Sequence, residues 1–362
     1  MLPLINLFFL NIAFNILIIG GLINFFEPYL PSIIVHTFRY GKFAHQGPSV
    51  IKAIEIPKSS FRHFYALAIV ILSITSATVL QIYYTTFHVA PWLITYFLFF
   101  TGTPGGTLVA LFLLTMQCYK RFYETFFIQV FAKTSKINFF QYIIGHLHYI
   151  GCIVAILGHS PGFINSQENI QDFIIFDSAT VILAVPTIAL FTVAWLKQLQ
   201  SNIILANLRK DKKSNKIITD KHFVPRGGWF EYVSSPHQLC EVLMYLALTP
   251  LLGINSSWFC VILWVLSNQI ETSLLSHWWY KENFSNYPTT RKAIVTLFVY
   301  NTLLDTKFTV PCQLRMKPTQ KAGKLNLFFL SSLFDLSEVV LSWFHLSWSV
   351  TEIYMLREQC SG

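Results

Sequence analysis

Seven tracts, each close to the 20 or so apolar residues that cross a hydrocarbon layer, recur near residues 4–26, 63–87, 91–117, 139–158, 174–196, 239–254 and 257–279. Nothing else restricts the fold as much. In lipid every backbone polar group must find its partner inside the protein, which leaves helices as the default for tracts of this length. The sixth tract is the shortest. Charged residues make up 12% of the chain, about half the roughly 25% usual in soluble domains, so lipid is the expected main solvent. The first tract has no cationic start and no small-residue cleavage site, and reads as a retained anchor. The expected fold is an all-α integral membrane bundle of seven transmembrane helices.

The charges between the tracts set an orientation. Arg39, Lys42, Lys52, Lys58 and Arg62 fall between the first and second tracts. Lys120, Arg121, Lys133 and Lys136 fall between the third and fourth, and a longer basic run from Lys197 to Arg226 falls between the fifth and sixth. The opposite connections, 88–90, 159–173 and 255–256, carry no Lys or Arg. That alternation puts the N-terminus in the lumen and residue 280 in the cytosol. Much of the net charge of +9 is thereby topology and contact with lipid headgroups, and nucleic acid is not an expected partner. Six cysteines without CxxC spacing indicate neither a disulfide framework nor a metal site; they read as reduced packing residues. The sequon at Asn255 lies too close to the membrane to be an expected glycosylation site.

After Arg291-Lys292 the character changes. Residues 301–324 are polar and irregular, and 325–350 form another hydrophobic tract. Asp335, Glu338, Ser342, His345 and Ser349 recur there at steps of three and four, one polar stripe on a helix. The stripe suits an interfacial helix or an eighth span. The chain thus divides into a membrane body, 1–300, and a C-terminal extension, 301–362.

Polar groups at the ends of greasy segments are functional candidates, because they cost free energy without a partner or ligand. Ser235-Pro236-His237-Gln238 is a helix start, with Ser235 as N-cap, Pro in the first turn and Gln three residues after the cap. His237 and Glu241 follow at i and i+4 on one face, either as an ion pair fastening the helix end or as part of a ligand site at a helix N-terminus. Gln269, Ser273, His277 and Tyr280 form a stripe on the seventh tract, with Asn268 and Glu271 beside it. Interhelical hydrogen bonds and a cofactor site are both open there, and His277 and Tyr280 sit at the cytosolic mouth. Gln117, Arg121 and Glu124 end the third tract, where Arg121 and Glu124 are also placed to pair with each other. Lys58, His63 and Tyr65 look like interfacial anchors. Arg209-Lys210-Asp211-Lys212-Lys213 suits either phosphate recognition or a solvated basic loop. Gly102, Gly105 and Gly106 suit helix packing or a kink. No strand-linked GxGxxG exists, so a dinucleotide would have to bind without a Rossmann domain.

Asn207-Leu208-Arg209-Lys210, Gly227-Gly228-Trp229-Phe230-Glu231-Tyr232-Val233-Ser234-Ser235-Pro236-His237, His277-Trp278-Trp279-Tyr280-Lys281 and Tyr287-Pro288-Thr289-Thr290-Arg291-Lys292-Ala293 together resemble the steroid 5α-reductase family. Phe38-Arg39-Tyr40-Gly41-Lys42, Ile56-Pro57-Lys58 and the run from Gln117 to Glu124 resemble its dolichol-synthesis branch. The resemblance covers about residues 1–300. It implies a seven-helix endoplasmic reticulum enzyme using NADPH, with the cofactor held by about residues 197–292. Carried over by motif, Arg209 meets the cofactor's phosphates, Asn202 lies on the adenine side, and Ser235, His237, Glu241, Tyr280 and Arg291 complete the pocket. The position of His277 is needed for activity in this branch. The steroid enzymes' catalytic tyrosine aligns with Cys118, which argues against a steroid substrate. Tyr65, Tyr123 and Glu124 remain as candidates for the polarising acid. The family pattern ends near residue 300, so 301–362 has no counterpart.

The activity implied is NADPH-dependent reduction of the α-isoprene double bond of a long polyisoprenoid, in dolichol synthesis that supports protein N-glycosylation. Hydride addition to a carbon–carbon double bond needs an electron sink. A carbonyl conjugated to it supplies one, and an allylic alcohol does not. The aldehyde is therefore the expected acceptor. The rival readings are a steroid enone reductase, an S-adenosylmethionine-dependent isoprenylcysteine methyltransferase of similar architecture, and a non-enzymatic lipid-binding protein.

Overall fold

A computed structural model of the chain describes residues 4–26, 29–31, 34–35, 38–39, 55–85, 104–132, 135–160, 163, 178–211, 214, 216–219 and 221–294. All of these belong to one compact unit, Met1–Lys307. The polar stripe at 335–349, residues 91–103 of the third tract, and Lys212 and Lys213 lie outside the described residues.

The first tract forms α1 (Leu4–Asn15), which runs through a π turn (Ile16–Gly20) into α2 (Gly21–Phe26). Then come α3 (Phe61–Thr85), α4 (Pro104–Tyr123), α5 (Phe139–Leu157), α6 (Ser178–Asn207), α7 (Pro236–Leu252) and α8 (Ser256–Asn283). Two three-residue strands, β1 (Glu55–Pro57) and β2 (Lys136–Asn138), pair antiparallel with Glu55 opposite Asn138. They tie the entry of α3 to the entry of α5. Five segments are long and apolar enough to cross a membrane: Leu4–Asn24, Lys58–Tyr83, Phe139–Leu157, Val181–Asn207 and Ser256–Asn283. The protein is an all-α, multi-pass membrane protein. The described part of the third tract, α4, and the 17-residue α7 coincide with expected spans without meeting that length and composition.

Lipid tails are as apolar as the side chains, so these helices associate through close packing and interhelical hydrogen bonds rather than through the hydrophobic effect. Gly151 of α5 shows the packing: a Cβ there would lie 2.6 Å from Cζ of Phe9 on α1. Only glycine lets the ring lie on the backbone. Thr107 and Ser160 share a 2.9 Å hydrogen bond between α4 and the end of α5. Gly105 and Gly106 are buried at the start of α4, which fits the packing reading.

Several local expectations change. Lys120 and Arg121 are not loop charges: α4 carries both in its last turn, and Lys120 is buried. Ser235 does occupy the N-cap of α7, with Pro236 in the first turn, but its hydroxyl makes no capping bond. Gln238 likewise does not reach back to the cap, because its Oε1 accepts from Ser273 Oγ on α8. Gly227 and Gly228 both take positive φ, 89° and 56°. Asn255 is spent on structure: its Nδ2 donates to Ala155 O at 2.8 Å, and its Oδ1 caps α8 by accepting from Trp258 N–H at 2.7 Å. The four described cysteines are free and buried.

A basic-ended cavity between the helices

A cavity of about 1080 Å³ opens between the helices, lined from α1 and α2, the first turns of α3 and α7, α5 from Phe140 to Tyr149, the last turns of α4 and α6, and α8 from Trp264 to Tyr280. Those first and last turns are the ends joined by the Lys- and Arg-rich connections. Arg39, Lys58, Arg121, Arg209 and Lys221 stand on its wall, against the carboxylates of Glu241 and Glu271. Further along the helices, Ile12, Ile16, Ile144 and Val265 line it beside the polar Asn11, Asn15, Asn268 and Gln269. A drug-sized pocket holds roughly 300–1,000 Å³, so this volume suits a large ligand, polyanionic at one end and greasy at the other.

The floor of the polar end is a network joining α4, α6 and α7. Glu241 Oε2 accepts from Gln117 Nε2 at 3.0 Å and from Gln198 Nε2 at 2.5 Å. Gln198 Oε1 in turn accepts from Gln117 Nε2 at 2.9 Å and Lys120 Nζ at 2.6 Å. A second group sits beside it. Arg121 pairs with Glu124 and donates from Nε to the Tyr65 hydroxyl at 3.2 Å, while Asn202 Nδ2 donates to Glu124 Oε2 at 2.9 Å. Buried charges are tolerated when paired and hydrogen-bonded in this way. Ser235 Oγ and Glu124 Oε1 are buried without a hydrogen-bond partner among the described residues. Such orphans call for a ligand or water, and Ser235 is on the cavity wall.

Of the residues given catalytic or cofactor-binding roles by the family resemblance, Tyr65, Asn202, Arg209, Ser235, His237, Glu241 and Tyr280 line the cavity. Tyr65 is therefore a wall residue, and so is Lys58, not the interfacial anchors expected. Arg209 is fixed by its Nη1, which donates to Val130 O at 2.7 Å. Tyr280 stacks parallel on Tyr287 with centroids 5.6 Å apart. Four do not line it. Tyr123 is 54% exposed and packs on Phe127 at 5.4 Å, so it faces away from the site. Glu124 lies one layer behind, with its Oε2 held by Arg121 and Asn202. Arg291 is buried with Nη1 donating to Pro225 O at 3.1 Å and its guanidinium 5.2 Å from the Tyr287 ring centroid, so it fastens the chain after α8 to the loop before α7. His277 is buried with Nδ1 2.7 Å from Ser234 Oγ. Ser234 itself donates to Lys292 O at 3.0 Å and lies on the wall. His277 thus stands behind the wall, one residue removed from the cavity.

Gln198, Lys120 and His148 are parts of this region that the sequence reading missed. Gln198 lies four residues before Asn202 on α6, and that i, i+4 spacing was the available signal. The half-buried Glu271 was visible as an intramembrane carboxylate. The structure adds its partner, Asn24, whose Nδ2 donates to both carboxylate oxygens at 3.1 and 2.9 Å. Among the described residues no cluster of His, Cys, Asp and Glu is arranged to hold a metal ion.

The site lies between helices and has a basic mouth, with no nucleotide-binding sheet among the described residues, and the comparisons give the class: the chain belongs to the steroid 5α-reductase family. A family model for 3-oxo-5-alpha-steroid 4-dehydrogenase matches residues 160–300. Within the family it is similar to the polyprenal reductases. It is 38% identical over 307 residues to that of Drosophila melanogaster, covering 81% of this chain and 92% of that protein. For the Xenopus laevis protein the figures are 34% over 279 residues, with 74% and 86% covered. For the Homo sapiens protein they are 28% over 280 residues, with 73% and 85% covered.

Proposed function

We propose that the chain is an NADPH-dependent polyprenal reductase of the endoplasmic reticulum membrane. Residues 1–300 are the seven-span reductase body, with the N-terminus in the lumen and the basic mouth in the cytosol. A soluble, polyanionic cofactor enters from that mouth, and a polyisoprenoid enters from the bilayer. The single observation that carries the reading is the cavity itself, with cations at the loop end, Ile12, Ile16, Ile144 and Val265 further in, and Glu241 on its wall held by Gln117 and Gln198. The names of the relatives support the substrate class.

The donor set fits the cofactor. Arg209 and Lys221 offer cations for its phosphates, the unpartnered Ser235 hydroxyl offers a donor at the α7 N-terminus, and Glu241 offers an acceptor for an amide. Asn202 and Tyr280 border the same end. When bound, the reduced nicotinamide supplies a hydride to the carbon β to the aldehyde. The chain's own residues bind, orient and keep water out; Tyr65 faces the cavity beneath Arg121 as a hydroxyl able to donate. His277 acts through Ser234, holding the strand-like entry to α7 in place. Cys118, where the steroid enzymes' catalytic tyrosine aligns, is fully buried and does not border the cavity, which favours the isoprenoid over a steroid.

The test supplies purified protein and NADPH with polyprenal or polyprenol separately, no dehydrogenase present. Saturation of the aldehyde is expected to be the faster reaction. Faster turnover of the alcohol contradicts the reading.

A further inference from the structure

Three helices meet at a second polar cluster that the network above does not use. Trp264 Nε1 of α8 donates to His148 Nδ1 of α5 at 3.1 Å, and His148 Nε2 lies 2.7 Å from the Tyr245 hydroxyl of α7. All three side chains line the cavity. An indole N–H can only donate, so His148 Nδ1 is the acceptor and the ring proton of the neutral imidazole sits on Nε2. His148 therefore donates to Tyr245, and the phenol oxygen is the acceptor of that bond. The proton of the Tyr245 hydroxyl is left to point elsewhere. The neighbour within reach is the Cys152 thiol, a weak acceptor that a carbonyl oxygen outcompetes.

Position adds to chemistry. Tyr245 follows Glu241 by four residues on α7, on the same face and about 6 Å deeper. Tyr65, on the cationic side, has its oxygen already under Arg121. Tyr245 instead stacks on Trp258, with centroids 5.6 Å apart and planes at 5°, away from those cations. An interhelical clamp alone would have no need to face a cavity.

We propose that Tyr245 is the catalytic acid that holds and protonates the aldehyde oxygen, with His148 and Trp264 as its positioning residues. The inference rests on the reading of the chain as an enal reductase. The two electrons that arrive with the hydride at the β carbon shift the double bond and end on the carbonyl oxygen. The Tyr245 proton passes to that oxygen, giving the enol. As the enol collapses to the saturated aldehyde, that proton returns to Tyr245, and the α carbon takes one proton from water. The net change is one hydride and one proton added across the double bond.

Two measurements on full-length wild type, Tyr245→Phe and Tyr65→Phe test it. The first is the infrared carbonyl stretch of a carbonyl-¹³C-labelled short-chain polyprenal bound to cofactor-free protein. It is expected to be lowered in wild type and Tyr65→Phe, and to return to its unbonded position in Tyr245→Phe. The second is turnover, where Tyr245→Phe is expected to lower kcat about 100-fold with the KM for NADPH unchanged. His148→Gln, which keeps a donor near the Nε2 position, is expected to retain more kcat than His148→Leu. A normal kcat and an unmoved carbonyl band in a folded, aldehyde-binding Tyr245→Phe overturn the assignment, as does loss of both signals in Tyr65→Phe alone. Wild type that fails to reduce polyprenal at all defeats the enal-reductase reading instead, and the infrared result still reports on Tyr245.

Discussion

Glu241 illustrates what a carboxylate needs to sit inside a membrane protein. Its Oε2 takes hydrogen bonds from two amides, on α4 and α6, and those amides are ordered by the carboxylate in return. Glu241→Leu removes one of the two acceptors of each amide, leaving Gln117 with Gln198 Oε1 and Gln198 with His237 O, at a cost of roughly 1–3 kcal/mol. A lower thermal unfolding midpoint in detergent, together with at least about tenfold weaker NADPH binding, is the expected pair of results. Gly227 is a different kind of constraint. At φ 89° and ψ 158° it occupies a region open almost only to glycine, and no atom lies within 4 Å of where a Cβ would sit. Gly227→Ala is therefore expected to cost about 1–3 kcal/mol through backbone strain alone, read as a drop in unfolding midpoint without a change in the apolar cavity. The polar words around Ser235, Glu241 and Tyr280 were legible because polar residues at greasy ends stand out. Gln198, Lys120 and His148 were not. Spacing tells which residues share one helix face, but not which faces of separate helices meet.

Helices are the scale at which sequence was most informative, because apolar length alone marks them in lipid. All seven tracts coincide, over their described residues, with helices. Their ends were harder to place. Lys120 belonged to a loop by its charge, yet α4 continues past it, and the side chain is satisfied by Trp195 O at 3.0 Å and by the Trp195 ring 5.0 Å away. A cation that finds a carbonyl and an aromatic face no longer needs water. Packing between elements rests on contacts that composition hides, such as Gly151 beneath Phe9. Gly151→Ala is expected to destabilise the α1–α5 contact by about 1–3 kcal/mol. Phe9→Leu, which removes the ring, is expected to restore part of that in the double variant. Equal loss in the single and double variants contradicts the contact.

Across the whole molecule, charge and cavity point the same way. The helix ends that carry the basic connections are the ends that border the cavity, so the side that holds the protein's cations is also the side open to a soluble polyanion. Under the proposed function, the charges that orient the chain in the bilayer also draw the cofactor to its mouth. A cysteine introduced at Ser214 is expected to react with a membrane-impermeant maleimide on sealed microsomes, and one at Ser166 only after permeabilisation; the reverse order contradicts the orientation. The most direct measurement of the account is a turnover with NADPH carrying deuterium at the transferable position and polyprenal as the lipid, followed by mass spectrometry. One deuterium on the β carbon of the saturated aldehyde is the predicted result. Saturated product without deuterium, or a protein that binds no NADPH, contradicts it.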